Sequence, residues 1–232
     1  MSENKVAVVS GGNRGIGREV VRQLAEKGYN VVLGARDVSK GQEAARELGN
    51  HNVTALALDV ADDKSVTQFI KQVEEKFGRL DVLVNNAGTM YDHWQQATTA
   101  DLEKAHQAHE TNFWGAWRLA KAAVPLMRKT GHGRIVNVSS QVGSLAGMGM
   151  APPAYATSKT ALNALTRVLA AELKGDGILV NSVCPGWVRT EMGGENAPRT
   201  VEQGASSVLF AVNIPDDGPT GGYYQDGKPL PW

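Results

Sequence analysis

Short runs of aliphatic and β-branched residues recur along the 232 residues, separated by longer charged stretches with helical spacing. "KVAVVS" (Lys5–Ser10) is followed by the helix pattern "GREVVRQLAEKG", which ends at Gly28. "NVVLGAR" (Asn30–Arg36), "VTALALDV" (Val53–Val60) and "LDVLVNNAG" (Leu80–Gly88) come next, then "GRIVNVSS" (Gly133–Ser140) and "ILVNSVCPG" (Ile178–Gly186). A weaker seventh run lies at "GGYYQD" (Gly221–Asp226). Strands this apolar must be covered on both faces, which calls for a parallel sheet with helices on each side. The rhythm from residue 5 onward predicts an α/β fold, a doubly wound parallel sheet of about seven strands. In such sheets ligands sit beyond the carboxyl ends of the strands, where the polar motifs of this chain also fall. No proline-rich hinge, repeat or low-complexity tract interrupts the pattern, so residues 1–232 are expected to form one domain.

Formal net charge is zero, which gives no electrostatic pull toward nucleic acid or an anionic membrane. A single cysteine, Cys184, excludes an internal disulfide framework and reads as a small buried residue. The N-terminal apolar run is too short for a signal peptide, and no stretch reaches the roughly 18–20 apolar residues of a membrane span. The expectation is a soluble, cytoplasmic protein.

"SGGNRGIG" (Ser10–Gly17) leaves the first strand and enters a helix. Its glycines, at 11, 12, 15 and 17, depart from the common dinucleotide spacing. The physics survives: Gly11 and Gly15 permit tight turning, Gly17 permits close backbone approach, and free N–H groups at the helix start face an anion. No Gly-Lys-Ser/Thr follows, so the loop is not of the Walker type. The second strand ends in "GARD", where Arg36 precedes Asp37. With Arg14 in the loop, two guanidinium groups suit a ribose 2′-phosphate, which favours NADP(H); Asp37 keeps NAD open.

"YATSKTALNALTRVLAAELKG" (Tyr155–Gly175) reads as a long helix. Tyr155, Lys159, Leu162, Thr166, Leu169 and Leu173 fall on one stripe, so Lys159 faces inward with the leucines. A buried lysine needs a partner, unless its head snorkels outward. Tyr155, one turn earlier, is the alternative. A cation about 4 Å from a phenol, at an effective dielectric near 20, contributes on the order of 4 kcal/mol. That could move a tyrosine from about 10 toward about 7, with desolvation opposing.

Together these segments resemble the short-chain dehydrogenase/reductase family. The matching pieces are "SGGNRGIG", Asp59 in "LDV", "NNAG" (Asn85–Gly88), Asn112 in "TNFWG", Ser139–Ser140, "YATSK" and "CPGWVRT" (Cys184–Thr190), in family order along nearly the whole chain. "GGNRGIG", "ARD" and "CPGWVRTEM" look most similar to the NADPH-dependent carbonyl reductase branch. The resemblance implies a Rossmann-like fold and reversible hydride transfer between NADP(H) and a ketone or aldehyde. It makes Tyr155 the acid/base, Lys159 the group that tunes it, Ser140 the partner of the substrate oxygen and Asn112 the holder of a water. Ser140 is preferred to Ser139 because "S-x-V-G" follows it. The implied cofactor contacts are Gly11, Asn13, Arg14, Gly15, Ile16 and Gly17, then Arg36, Asp59, Val60, Asn86, Ala87 and Gly88. Pro185, Gly186, Val188 and Thr190 join them beside Tyr155 and Lys159.

The chain departs from that branch in two ways. Ser10 stands where the family usually has threonine, and only "QVGSLAGMGMAPPA" separates Ser140 from Tyr155, where the branch often carries a long insertion. Without the insertion, helix faces stay free, so a homodimer or homotetramer is expected. Pocket walls are expected from Ser144–Pro153, Met90–Trp94 and a mobile lid at Trp187–Thr200, whose apolar side chains favour an apolar carbonyl substrate. His106 and His109 read as solvated rather than metal-binding. The tail "DGKPLPW" reads as a frayed end or a contact with a neighbouring subunit. Two rivals remain: a non-catalytic NADP-binding sensor or scaffold, which should have lost a catalytic side chain, and a dehalogenating relative, which should lack the glycine loop. Within the enzyme reading, NAD-linked alcohol oxidation stays open.

Overall fold

A computed structural model of the chain describes residues 5–49, 52–90 and 92–232. Its centre is an eight-stranded sheet in the order β3-β2-β1-β4-β5-β6-β7-β8. The strands are β1 (Val6–Ser10), β2 (Asn30–Ala35), β3 (Val53–Ala57), β4 (Val82–Asn85), β5 (Gly133–Val138), β6 (Ile178–Val183), β7 (Tyr223–Gln225) and β8 (Lys228–Pro229). All neighbours pair in parallel except β7 and β8. The order reverses between β1 and β4, the switch point at which a doubly wound sheet opens a crevice.

Register aligns the carboxyl ends. Ser10 pairs with Gly34, Val9 with Val84, Asn85 with Asn137 and Val138 with Val183. The segments that leave these strands, at residues 11–17, 36–37, 86–88, 139–143 and 184–190, therefore emerge along one edge.

Helices cover both faces. α1 (Gly15–Glu26) and α7 (Val201–Val212) bury Val20, Val21, Leu24, Val208 and Leu209 on one side. α3 (Asp63–Phe77), α5 (Gly115–Arg128) and α6 (Pro153–Glu172) bury Phe69, Leu119 and Leu162 on the other. The sequence supplies local starts and stops. Asp37 caps α2 (Val38–Glu47), Asp62 caps α3 and Asp101 caps α4 (Leu102–His109), each with a carboxylate accepting first-turn N–H groups. Gly78, at φ 68°, ends α3 in the left-handed conformation that only glycine adopts at little cost. Between α4 and α5 the chain widens into one π turn, Glu110–Trp114.

The last strand pair extends what the sequence suggested. The expected seventh strand contracts to Tyr223–Gln225, and a two-residue β8 folds back on it. The hairpin turns on Asp226 and Gly227, both at positive φ (51° and 77°). Asp-Gly is a favoured pair for such a turn. β8 was not foreseen because two residues ending in proline carry no alternation. The tail does not fray: Trp232 stacks on Tyr223 with centroids 5.4 Å apart, and its carbonyl accepts from Ala146 N at 2.7 Å. Among the described residues no helix is long and apolar enough to cross a membrane.

Candidate active site

The glycine loop closes on the strand edge through Ser10. Its hydroxyl accepts from Asn86 N and Ala87 N, both at 3.0 Å, while Asn86 Nδ2 donates to the carbonyls of Ser10 and Gly11. β1 and β4 are thus stitched together at the switch point, which explains why a serine can replace a threonine there. Gly11 (φ 65°) and Gly15 (φ 53°) take left-handed conformations as expected. A Cβ at Gly17 would lie 2.4 Å from the Gly11 carbonyl oxygen, so the loop closes only around glycine. Asn13 is half-buried in the loop, and Ile16 packs against the core beside Gly204.

The expected nucleotide edge is assembled around this loop. Gly11 abuts Ala87, and Gly15 abuts the Thr190 methyl group, its built Cβ lying 3.3 Å away. Arg36 is exposed at the end of β2 and makes no ion pair among the described residues. Arg14, also exposed, pairs with Glu191. Asp37 is already engaged as the α2 cap, accepting from Ser39 N at 3.0 Å and Lys40 N at 3.4 Å. Asp59 accepts from Ala61 N at 3.0 Å, and Val60 packs against Gly115. Pro185 is buried, and Gly186 (φ 77°) passes against Arg199. Val188 bridges to Arg199, whose guanidinium meets Asp226 at 2.6 and 2.7 Å. The 187–200 segment is therefore pinned at its base.

α6 carries the central pair. The predicted inward stripe is observed: Lys159, Leu162, Thr166, Leu169 and Leu173 are buried, and Tyr155 is half-buried. A line of buried polar contacts fixes the rotation of the helix. Asn85 Nδ2 donates to Asn137 Oδ1, Asn137 Nδ2 donates to Thr166 Oγ1, and Thr166 Oγ1 meets Ser182 Oγ at 2.7 Å. Lys159 is only 3% exposed, and its ammonium donates to the Val138 carbonyl at 2.8 Å. It does not snorkel. A Cβ built on Gly88 would lie 3.5 Å from Lys159 Nζ and 3.4 Å from Asn112 Oδ1. The "NNAG" turn, the buried lysine and Asn112 thus share one cleft.

Ser140 reaches the same cleft because its loop is pressed on α6. A Cβ at Gly143 would sit 2.8 Å from Lys159 Cβ, and the Gly143 carbonyl accepts from Thr160 Oγ1 and Asn163 Nδ2, both at 3.1 Å. Ser140 is thereby brought beside the Tyr155 phenol, where it favours the ionised form. Ser139 is buried instead, beside Tyr223. Asn112 sits in the π turn. Its amide donates to Thr89 O and Ser158 Oγ, both at 2.9 Å, and its oxygen accepts from Thr89 N at 2.8 Å.

The expected lowering of the tyrosine pKa is overturned in this state. Burial pushes the Tyr155 phenol up to about 12, with the Ser140 contact opposing the rise. Burial also pushes Lys159 down to about 8. The lysine head lies 5.7 Å from the centre of the phenol ring and gives its hydrogen bond to Val138. Desolvation is the largest influence on the phenol, ahead of the Ser140 contact.

Of the residues expected to wall the pocket, Leu145, Met148, Trp187 and Met192 are exposed, and Met150 lies fully in solvent. Tyr91 lies outside the described residues. Asp92, from the same stretch, turns inward and bonds to the start of α6. His106 is exposed, and a His109 ring nitrogen meets the Ala105 carbonyl at 3.0 Å. The sequence reading missed Asp92 and the Asn137–Thr166–Ser182 line. A signal for Asp92 existed: "APPAYATSK" offers no capping residue before its helix.

A doubly wound sheet with a glycine cradle at its switch point, and a Tyr-x-x-x-Lys pair facing that cradle, has the build of a nucleotide-dependent oxidoreductase. The chain belongs to the short chain dehydrogenase family, whose model matches residues 5–200. It is 33% identical to carbonyl reductase [NADPH] 1 of Mus musculus over 279 positions, covering 100% of this chain and 99% of that protein. It is 32% identical to (+)-neomenthol dehydrogenase of Arabidopsis thaliana, covering 95% of each. The structure of an NADPH-bound carbonyl reductase from chicken fatty liver superposes with a TM-score of 0.90 at 26% identity, covering 99% of this chain and 95% of that one. The first alignment is longer than the 232 residues of this chain, so that relative carries residues with no counterpart here.

The buried ammonium sets a pH signature. A lysine held at about 8 in the fold, against an ordinary 10.5, makes stability rise as pH climbs from about 8 toward 10.5 and leaves it flat below. Lys159→Met is therefore expected to be more stable than the native chain at pH 7, by on the order of 2–3 kcal/mol, with the gap closing by pH 10. Urea unfolding at the two pH values checks this; an equal gap at both would refute it.

Proposed function

We propose that the protein is an NADPH-dependent carbonyl reductase that converts an apolar ketone or aldehyde to the alcohol, with Tyr155 as the proton donor. The observation that carries the reading is the convergence of Gly88, Asn112 and Lys159 at one place, one helical turn from Tyr155. The glycine cradle suits a pyrophosphate, because Gly11 and Gly15 take left-handed turns and Gly17 lets the loop backbone close onto the start of α1, whose N–H groups favour an anion. Gly11, Asn13, Gly15, Ile16 and Gly17 would hold it, with Asp59, Val60 and Asn86–Gly88 on the adenosine side. Pro185, Gly186, Val188 and Thr190 would hold the nicotinamide side. The choice of NADPH rests on charge. Arg36 is an exposed cation at the end of β2, with Arg14 and its Glu191 partner in the glycine loop, whereas Asp37, the group that would favour NAD, caps α2. The named relatives support the same choice.

Bound there, the reduced nicotinamide supplies the hydride. As charge builds on the carbonyl oxygen, Ser140 and Tyr155 donate hydrogen bonds to it, and Tyr155 delivers its proton. A phenol pushed up to about 12 stays protonated at neutral pH and is still far more acidic than the alcohol being formed. Lys159 keeps a positive charge beneath the site, and Asn112 borders it. With Asn112, Ser140, Tyr155 and Lys159 all present, the sensor reading has no missing group to stand on. We extend the proposal to a cytoplasmic homodimer or homotetramer. Its support is the open aromatic face where Trp114 and Trp117 stack 5.5 Å apart, both 38% or more exposed.

Oxidation of NADPH, followed at 340 nm against a ketone panel, tests the reaction. Tyr155→Phe is expected to lower turnover about 10²–10⁴-fold while NADPH affinity changes little; near-native turnover would refute the assignment. Arg36→Asp should reduce the preference for NADPH over NADH by about 10–100-fold, and an unchanged ratio would clear Arg36 of that role. Sedimentation should return a dimer or tetramer that Trp117→Glu weakens; a native monomer would remove the assembly claim.

A further inference from the structure

The first turn of α6 carries Tyr155, yet its own sequence gives it no cap. Pro152 occupies the capping position with no side-chain acceptor, and Pro153 opens the helix. The first-turn N–H groups of a helix need partners from elsewhere in that case. Asp92 supplies them from 62 residues upstream. Its carboxylate is completely buried and accepts from Ala154 N at 2.5 Å and from Tyr155 N at 3.3 Å. It makes no ion pair among the described residues, so the positive end of the helix is what compensates its charge. A buried carboxylate is a costly way to end a helix, and its reach is what distinguishes it from a local serine.

The opposite side of the same residue is also held. Ser158 Oγ donates to the Tyr155 carbonyl at 2.8 Å and accepts from Asn112 Nδ2. Asn112 in turn grips both backbone groups of Thr89. Thr89 and Asp92 lie on the segment that begins with Asn86–Gly88, the wall of the glycine cradle. The stretch that forms the cradle wall thus holds the Tyr155 N–H directly through Asp92 and is joined to its carbonyl through Asn112 and Ser158.

We propose that Asp92 is a positioning residue, which sets the phenol of Tyr155 in register with the glycine cradle. This rests on the reading of Tyr155 as proton donor. Reaction rates fall steeply with small misplacements of a reacting group, up to about 100-fold for 1 Å. The residue should therefore act on kcat and leave cofactor binding alone.

The test compares Asp92→Ala, Asp92→Asn and Tyr155→Phe in the full-length protein, with NADPH and a ketone that the native chain reduces. Asp92→Ala should lower kcat about 30-fold, with KM and the NADPH dissociation constant from fluorescence within about twofold of native. Asp92→Asn keeps one acceptor oxygen of the two and should recover kcat in part, to within about tenfold of native. An Asp92→Ala protein with native kcat overturns the proposal, as does one in which kcat and NADPH affinity collapse together, or an asparagine variant no better than alanine. If Asp92→Ala does not fold, Asp92→Ser, whose hydroxyl is too short to reach both N–H groups, should lose about tenfold in kcat with unchanged NADPH affinity; native kcat there overturns the proposal. Tyr155→Phe separates the two claims. An active phenylalanine variant sinks the proton-donor reading itself, whereas an inactive one beside a fully active Asp92→Ala sinks this inference alone.

Discussion

The arrangement depends on one buried cation. Lys159 lies in the apolar interior on the same stripe as Leu162 and Leu169, and among the described residues its ammonium has one hydrogen-bond acceptor, the Val138 carbonyl. A charge in that position is destabilising unless its surroundings compensate. The fold tolerates it by placing the ammonium where β5 has just ended and the chain turns toward Ser140. The neighbouring backbone is also held close by glycine: Gly143 lets the Ser140 loop pack on the helix, and Gly88 lets the "NNAG" turn approach the ammonium. Alanine at Gly143 would meet the Lys159 backbone at 2.9 Å, so packing and charge placement cannot be varied separately.

Parallel register turns local motifs into a common site. Because β1, β4, β5 and β6 end together, four segments far apart in sequence meet at one edge without any long loop. Small polar side chains then lock the edge. Ser10 joins β1 to β4, and Asn85, Asn137, Thr166 and Ser182 join β4, β5, α6 and β6. Each bond is modest by itself. Their shared effect is rotational: α6 cannot turn about its axis without taking from the buried Asn137 amide its acceptor, Thr166 Oγ1, and this fixes the side of α6 that carries Tyr155 and Lys159.

Much of this was legible in the sequence, for reasons that can be named. Parallel strands buried on both faces are written as unbroken aliphatic runs, so six strands and their helices could be read directly. The 100° stripe from Tyr155 to Leu173 required an inward lysine before any coordinates were known. Glycines with a fixed φ or a close approach, such as 11, 15 and 17, carry their geometry in their identity. Contacts made across sequence were less visible. Asp92 looked like part of a pocket wall because nothing local shows that a carboxylate will cap a helix 62 residues away. The lowering of the Tyr155 pKa failed for a different reason. Spacing along a helix shows which way a side chain points but not how deeply it is buried, and burial is the largest influence on the Tyr155 phenol.

The same geometry separates what is rigid from what is open. Tyr155 is clasped at its backbone, and Ser140 is pressed on α6. The side chains nearest to solvent, Leu145, Met148, Trp187 and Met192, make few claims on the core. The segment that follows Gly186 is anchored at its base, where Arg199 meets Asp226 and Val188 packs on Gly204, while Glu191 and Met192 stay exposed beyond that anchor. Loops of this kind tolerate substitution because few buried contacts depend on them. Change in these outer positions can therefore proceed without disturbing Tyr155, the buried ammonium or the glycine cradle.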